Sequence, residues 1–278
     1  MKKVGLNSIN PFSECISSNS VSRVYRIDNN NVFKMFDYGH LISLLDNDYD
    51  IEENVLKGSR LVNDSNIVVP SSCVYRGRSF IGYTMPFIDG VSVMNYVNDS
   101  MSLGEITNLY SKLESIVRKN ENIVFPDMLT DGNILIDESG NVHFIDFDGL
   151  QVSSYLSPAM SSGLGNRKVY DFTKYKNGRS FTKELDIKSL VYLYFSMVFR
   201  YPMEDIDNGY FDCSNEELLY DLFYYLGIED NDLFNKVLRL YSDDSNQYLG
   251  NTVMDIADNY DLDVINNEYC YVKRLVRK

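Results

Sequence analysis

Short segments of β-branched and aromatic residues, separated by turn-forming residues, dominate roughly the first 86 positions of the chain. Ser20–Ile27, Asn31–Phe36, Val68–Tyr75 and Arg78–Met85 have the length and composition of β-strands. Between the second and third of these segments, Asp48–Val62 begins with acidic residues and places apolar side chains at helical spacing. This part of the chain therefore predicts a mostly β unit with one helix.

The pattern becomes helical after about residue 87. Leu103–Lys119 carries apolar residues three and four positions apart, which predicts a helix with one apolar face. Leu190–Phe199 is apolar on nearly every side, so the helix that begins near Asp186 is expected to be buried. Further helices are expected over 215–226, 231–241 and 252–258. We therefore predict an α+β fold with a β-rich N-lobe, residues 1–86, and a larger helical C-lobe, residues 87–278.

A hairpin is predicted where two short apolar runs, Ile134–Ile136 and Val142–Phe144, flank the turn sequence Asp137–Asn141. If the turn is centred between its third and fourth residues, the numbers of paired residues sum to about 279. Asn133 would then face Asp146, because directly opposed residues on neighbouring strands lie about 5 Å apart.

Asn133 and Asp146 would thus bring an amide oxygen and a carboxylate to one end of the hairpin, and Asp127 lies just upstream. Oxygen ligands of this kind suit Mg²⁺. The same residue types are also ordinary in turns and at strand ends. The hairpin alone therefore leaves both a metal site and plain turn chemistry open.

Composition narrows the range of partners. The 278 residues carry a formal net charge of −14, which argues against nucleic acid as the main partner. Four cysteines without paired spacing predict free thiols and a cytoplasmic protein. The longest apolar run is about half the length of a membrane span, so no membrane partner is expected.

Several segments occur in the order of the protein-kinase signature, and the chain resembles a divergent eukaryotic-type Ser/Thr protein kinase. Val32–Met35 resembles the V-A-I-K strand, and Glu52–Lys57 resembles the helix that follows it. Met85–Gly90 resembles the hinge between lobes. Phe125–Asp127 stands at the position of H-R-D, and Asp146–Asp148 at that of D-F-G.

The resemblance implies a bilobal kinase fold that binds ATP and Mg²⁺, with a defined role for each matched residue. Lys34 would grip the α- and β-phosphates, oriented by an ion pair with Glu52. The carbonyl of Pro86 and the amide of Ile88 would meet adenine.

The other matches are Asn133 and Asp146 as the metal ligands and Asp127 as the base that accepts the substrate proton.

The chain departs from the kinase pattern at several positions, among them the D-F-G glycine, which is Asp148 here. Two departures change which residues would act. The glycine-rich loop is replaced by Ser17–Ser22, where the hydroxyls of Ser18 and Ser20 would have to approach the phosphates instead. The interval from Asp127 to Asn133 is one residue longer than in H-R-D-x-x-x-x-N, which makes Asp131 an alternative catalytic carboxylate.

Three functions fit the residues. The leading expectation is a kinase that transfers the γ-phosphoryl group of ATP to a Ser or Thr hydroxyl of a protein substrate. The long interval between Asp146 and Asp186, comparable to an activation segment, favours a protein acceptor. A small-molecule kinase of the aminoglycoside-phosphotransferase type would use the same residues. A pseudokinase that serves as a nucleotide-binding or interaction module is the third possibility. The sequence leaves the oligomeric state open.

Overall fold

The computed structural model describes residues 1–9, 14–47, 49–98, 100–130, 132–158 and 176–199. Within them the chain is a mixed α+β protein with a six-stranded N-terminal sheet, as the sequence predicts at that coarse level. The described residues fall into two units, the first made of 1–92, 120–158 and 176–182, the second of 93–119 and 183–199. The boundary between an N-lobe and a C-lobe at residue 86 stays a prediction.

Six strands form the sheet of the first unit in the order β1-β5-β6-β4-β3-β2. Only β1 and β5 are parallel; the other neighbours in this sheet are antiparallel. Their bounds are β1 Lys2–Gly5, β2 Cys15–Ser18, β3 Ser22–Arg26, β4 Asn31–Phe36, β5 Ser72–Arg76 and β6 Ser79–Pro86. The predicted strands thus exist, although Val68–Tyr75 begins four residues later than expected.

Helices occupy the connection between β4 and β5. Helix α1 spans Tyr38–Asp46, and helix α2 spans Ile51–Glu53 and continues into a π-helical turn at Asn54–Gly58. The single helix predicted over Asp48–Val62 was wrong in extent, and α1 was not predicted. The missed signal is Asp37, whose side chain accepts hydrogen bonds from the first free amides of α1.

The two faces of the sheet differ in chemistry because side chains alternate along a strand. Phe33 points to the face that packs with Ile9, Val74 and Ile81 in an apolar cluster. The buried Lys34 follows Phe33 on the central strand β4, opposite Tyr83 on β6. A buried cation is thereby carried on the other face of the sheet.

Shorter elements complete the first unit. Strand β7 spans Gly90–Ser92, β8 Ile123–Val124, β9 Ile134–Asp137, β10 Val142–Phe144, β11 Gln151–Val152, β12 Lys176–Asn177 and β13 Ser180–Phe181. β10, β9 and β7 form one small sheet, while β11 pairs with β8 and β12 with β13. The predicted hairpin is the β9–β10 pair.

The described part of the second unit consists of three helices, α3 (Val93–Tyr96), α4 (Leu103–Lys119) and α5 (Glu184–Phe199). The prediction of α4 was correct at both ends, and α5 starts close to Asp186 as expected. Tyr110 of α4 meets Tyr194 of α5 edge to face, with ring centroids 5.1 Å apart. Asp186 is fully buried in the first turn of α5 and pairs with Lys183 at 2.7 Å. The helices predicted beyond residue 214 lie outside the described residues.

We expect Gly82→Ala to destabilise the protein by about 2 to 3 kcal/mol. Gly82 has a φ of 153°, and a Cβ atom there would lie 2.0 Å from the carbonyl oxygen of Lys34 on the paired strand. Denaturant titration of the variant beside Gly5→Ala measures this, because a Cβ at Gly5 meets no atom within 4 Å. Equal stability of the two variants would contradict the close approach of β4 and β6.

Candidate functional site

The β9–β10 hairpin brings Asn133 and Asp146 to the same end, but its register differs from the prediction. Ile136 pairs with Val142 and Ile134 with Phe144, so the paired numbers sum to 278. Asn133 therefore opposes Ile145, whose amide donates to the Asn133 carbonyl at 2.9 Å. The turn closes with Gly140 at a φ of 74°, which shifts the pairing by one residue.

Asp146 follows the hairpin in an uncommon backbone conformation. Its φ of 64° and ψ of 52° lie in the left-handed region, which costs a non-glycine residue about 1 to 2 kcal/mol. The residue precedes a 3₁₀ turn at Phe147–Gly149, and the Gly149 amide donates to the Asp146 carbonyl at 2.9 Å. Such outliers persist where the surroundings over-determine them, and they cluster at functional sites.

The ammonium group of Lys34 lies between two carboxylates. It donates to Asp146 Oδ1 and, at 2.7 Å, to Asp148 Oδ1. The side chains of Lys34 and Asp148 are 8% and 9% exposed, whereas that of Asp146 is 27% exposed. Asp146 is therefore the carboxylate of this cluster that solvent reaches most readily.

Two tyrosines hold Asp148 in place. The Tyr83 hydroxyl donates to Asp148 Oδ1, and the Tyr49 hydroxyl donates to the Asp148 carbonyl at 3.3 Å. Burial and then the charges of Asp148 and Asp146 raise the pKa of Tyr83 well above its ordinary value, so the phenol keeps its proton. Asp148, Tyr83 and Tyr49 were not predicted as residues of the site. The available signal was a carboxylate standing where the kinase pattern has a glycine.

The charges of the cluster do not cancel. Burial lowers the pKa of Lys34, but the charges of Asp146 and Asp148 outweigh it and raise that pKa above its ordinary value. Burial raises the pKa of Asp146 to about 6, with a further rise from Asp148 and an opposing effect of Lys34. Two aspartates and one lysine give the cluster a formal charge of −1, which a cation beside Asp146 would offset.

Asp127 and Asn133 join Asp146 in lining a small pocket, together with Phe125, Phe144 and Leu150 among others. Asn133 Nδ2 donates to the Asp127 carbonyl at 2.9 Å and to Asp127 Oδ2 at 3.3 Å. Thr130 Oγ1 donates to Asp127 Oδ1. The charge of Asp127 contributes to the raised pKa of Asp146. Asp131, the alternative carboxylate, lies outside the described residues.

Glu52 is not brought to Lys34 within the described residues. Its carboxylate pairs with Lys3 Nζ at 3.1 Å and accepts from the Tyr75 hydroxyl. Lys3 and Tyr75 belong to the neighbouring strands β1 and β5, so α2 is tied to that edge of the sheet. The ion pair that the resemblance implies for Lys34 is replaced by Asp146 and Asp148.

The residues expected to contact ATP are distributed along the same sheet. Ser18 ends β2 and Ser20 lies in the following turn, and both are exposed. In that turn Asn19 Oδ1 accepts from the amides of Val21 at 3.0 Å and Ser22 at 2.7 Å. These two amides point to a side chain of the turn itself, which differs from an open phosphate-binding loop.

The expected hinge follows the last strand of the sheet. Pro86 is the exposed final residue of β6, opposite Asn31, and Ile88 lies two residues further on and is half-buried. Phe87 donates its amide to the Asn30 carbonyl at 2.7 Å, and its ring lies 4.1 Å from the Arg26 guanidinium carbon. The hinge backbone is thus held against the β3–β4 turn.

Comparison with protein-family models and with curated proteins finds no match to this chain. Among the described residues, no helix has the length and apolar character needed to cross a membrane. The same residues contain no group of three or more His, Cys, Asp or Glu side chains arranged for a metal ion.

We expect Tyr83→Phe to cost about 1.5 to 3 kcal/mol of stability, because a buried carboxylate loses a hydrogen-bond donor. Tyr38→Phe is the matched control, since Tyr38 is 67% exposed. Thermal and urea unfolding of both variants beside the parent protein measure the difference. Unchanged stability of Tyr83→Phe would mean that Asp148 does not depend on this hydroxyl.

Proposed function

We propose that this protein is a phosphotransferase that uses ATP and Mg²⁺ and transfers the γ-phosphoryl group to a hydroxyl. The observation that carries the proposal is the contact between Lys34 and Asp146, which are separated by 112 positions in the sequence. Asp127 and Asn133 line the pocket beside Asp146. An isolated surface ion pair would need no such surroundings, and phosphoryl transfer needs a cation, metal ligands and a base close together.

A protein-kinase-like bilobal fold belongs to the same proposal. The strand that carries Lys34 is followed by the helical connection of α1 and α2, which is the order that the kinase resemblance implies. The hairpin with Asp146 at its end comes later in the chain and reaches the same lysine. The buried helix α5 starts near Asp186, where the apolar pattern of the sequence predicts a buried helix.

The residues around Asp146 fit Mg²⁺. Asp146 has the more exposed carboxylate of the cluster, and the Asn133 amide oxygen accepts no hydrogen bond from the described residues. The surplus negative charge of the cluster also favours a cation. Asn133 and Asp146 would hold the ion, which when bound neutralises charge on the phosphates.

The side chains of this protein would divide the remaining work. Lys34 would donate to phosphate oxygens from its fixed place on β4. Asp127 would accept the hydrogen bond and proton of the acceptor hydroxyl, and Thr130 and Asn133 already fix the orientation of its carboxylate. This orientation limits the conformations in which the acceptor can reach the phosphate.

We propose that the acceptor is a protein Ser or Thr side chain, because the interval between Asp146 and Asp186 is comparable in length to a kinase activation segment. A small molecule that bears a hydroxyl is the alternative acceptor for the same residues. A cytoplasmic location is part of the proposal, because Cys15 and Cys73 are free thiols.

A second candidate is a nucleotide-binding module without transfer activity. The observation that favours it is the turn after β2, where Asn19 occupies the amides of Val21 and Ser22. A kinase needs backbone amides of that turn to cover the phosphates. In this candidate MgATP would bind and remain intact.

Incubation with γ-labelled ATP, Mg²⁺ and a basic protein substrate tests the leading proposal. We expect label on the substrate or on the protein itself, and none with Asp146→Asn, because that variant loses a metal-binding carboxylate. Glu138→Gln, an exposed acid in the hairpin turn, is the matched control and should retain labelling.

Thermal unfolding with MgATP separates the candidates. Ligand at about 100 times its dissociation constant should stabilise the native protein by about 2.7 kcal/mol. Stabilisation without labelling would support the binding module or a small-molecule acceptor. If MgATP neither stabilises the protein nor leads to labelling, both candidates are contradicted.

We expect Asp127→Asn to lower turnover by about 10² to 10⁴ while nucleotide affinity changes little, because the residue acts on the acceptor proton. Single-turnover transfer and MgATP titration measure the two effects separately. Asp131→Asn is the comparison variant. If it, and not Asp127→Asn, removes turnover, the base has been assigned to the wrong carboxylate.

A further inference from the structure

We infer that Asp148, and not Glu52, is the residue that positions Lys34 for the phosphates of the nucleotide. The inference rests on the proposed function, because it concerns the lysine that would grip those phosphates. In the kinase resemblance, the residue that orients the lysine belongs to the helix after the lysine strand. Here that role would belong to a residue of the segment that matches D-F-G.

The first support is the contact itself. Lys34 Nζ lies 2.7 Å from Asp148 Oδ1, and both side chains are largely buried. A charge-assisted hydrogen bond of this length in a low-dielectric setting fixes the direction of the lysine side chain. Glu52 forms an ion pair with Lys3 and accepts a hydrogen bond from Tyr75, so it has another structural role.

The second support is the division between the two aspartates. Asp146 and Asp148 both contact Lys34, but only Asp146 also lines the pocket with Asp127 and Asn133. A cation bound there would compete with Lys34 for Asp146. Asp148 would remain as the lysine's carboxylate, which keeps the pair neutral inside the protein.

The third support is the framework around Asp148. Tyr83 donates to its carboxylate and Tyr49 to its carbonyl, while Asn54 donates to Tyr49 Oη at 2.7 Å. Asn54 stands at the start of the π-helical turn and also donates to the Leu156 carbonyl at 3.1 Å. The turn that follows α2 therefore supports Lys34 through Asp148 and the backbone near it, without a direct ion pair from Glu52.

The test compares the dissociation constants of MgATP and of adenosine for the parent protein and three variants, Asp148→Asn, Glu52→Gln and Glu53→Gln. We expect Asp148→Asn to weaken MgATP binding about tenfold or more, as losing the residue that orients a ligating group does elsewhere. Adenosine lacks phosphates, so its affinity should not change. A merely structural role of Asp148 would weaken both ligands together.

Glu52→Gln and Glu53→Gln complete the set. Glu53 belongs to the same helix and pairs with Lys57 on the surface, which makes it the matched control. We expect both variants to bind MgATP like the parent protein. A tenfold loss confined to Glu52→Gln overturns the inference, and this result does not depend on whether Asp148→Asn folds.

A double variant shows whether Asp148 acts through Lys34. In a Lys34→Ala background, Asp148→Asn should cause no further loss of MgATP affinity, because the group that it positions is already absent. Additive losses overturn the inference. The proposed function fails in a different way, namely if the parent protein itself does not bind MgATP.

Discussion

The ammonium of Lys34, buried between the carboxylates of Asp146 and Asp148, is the interaction on which the first unit depends. Removing one charge from water costs several kcal/mol even after relaxation, so a buried cation persists only with close partners. Here the partners come from a segment more than a hundred residues away in the chain. The cluster therefore connects the six-stranded sheet to the β9–β10 hairpin, and it leaves a surplus negative charge beside a pocket.

The fold holds this cluster by ordinary means. Alternation along β4 sends Phe33 into one apolar cluster and Lys34 to the other face. Strand β10 ends at Phe144, and the left-handed backbone at Asp146 turns the chain so that both aspartates reach the lysine. The same segment is fixed by Tyr49, Tyr83 and Asn54. The contacts that would form the proposed site are thus also part of what stabilises the fold.

Local patterns could be read from the sequence, and contacts between distant segments could not. Asn31–Phe36 and Leu103–Lys119 have the predicted bounds because their apolar spacing is clear. The hairpin register was off by one residue because the turn geometry, with Gly140 at positive φ, is not determined by composition alone. The contact of Lys34 with Asp148 was not predicted because Glu52 fits the kinase pattern. Within the described residues Glu52 pairs with Lys3 and Tyr75, and Tyr83 donates to Asp148.

Chemical labelling with an acyl-phosphate derivative of ATP, followed by mass spectrometry, measures whether Lys34 lies beside the nucleotide phosphates. Such a reagent acylates the lysine that lies against the nucleotide phosphates. We expect that Lys34 is the principal labelled lysine, that labelling requires Mg²⁺ and that excess ATP prevents it. Labelling spread over exposed lysines and unaffected by ATP would contradict the claim that the buried cluster is a nucleotide site.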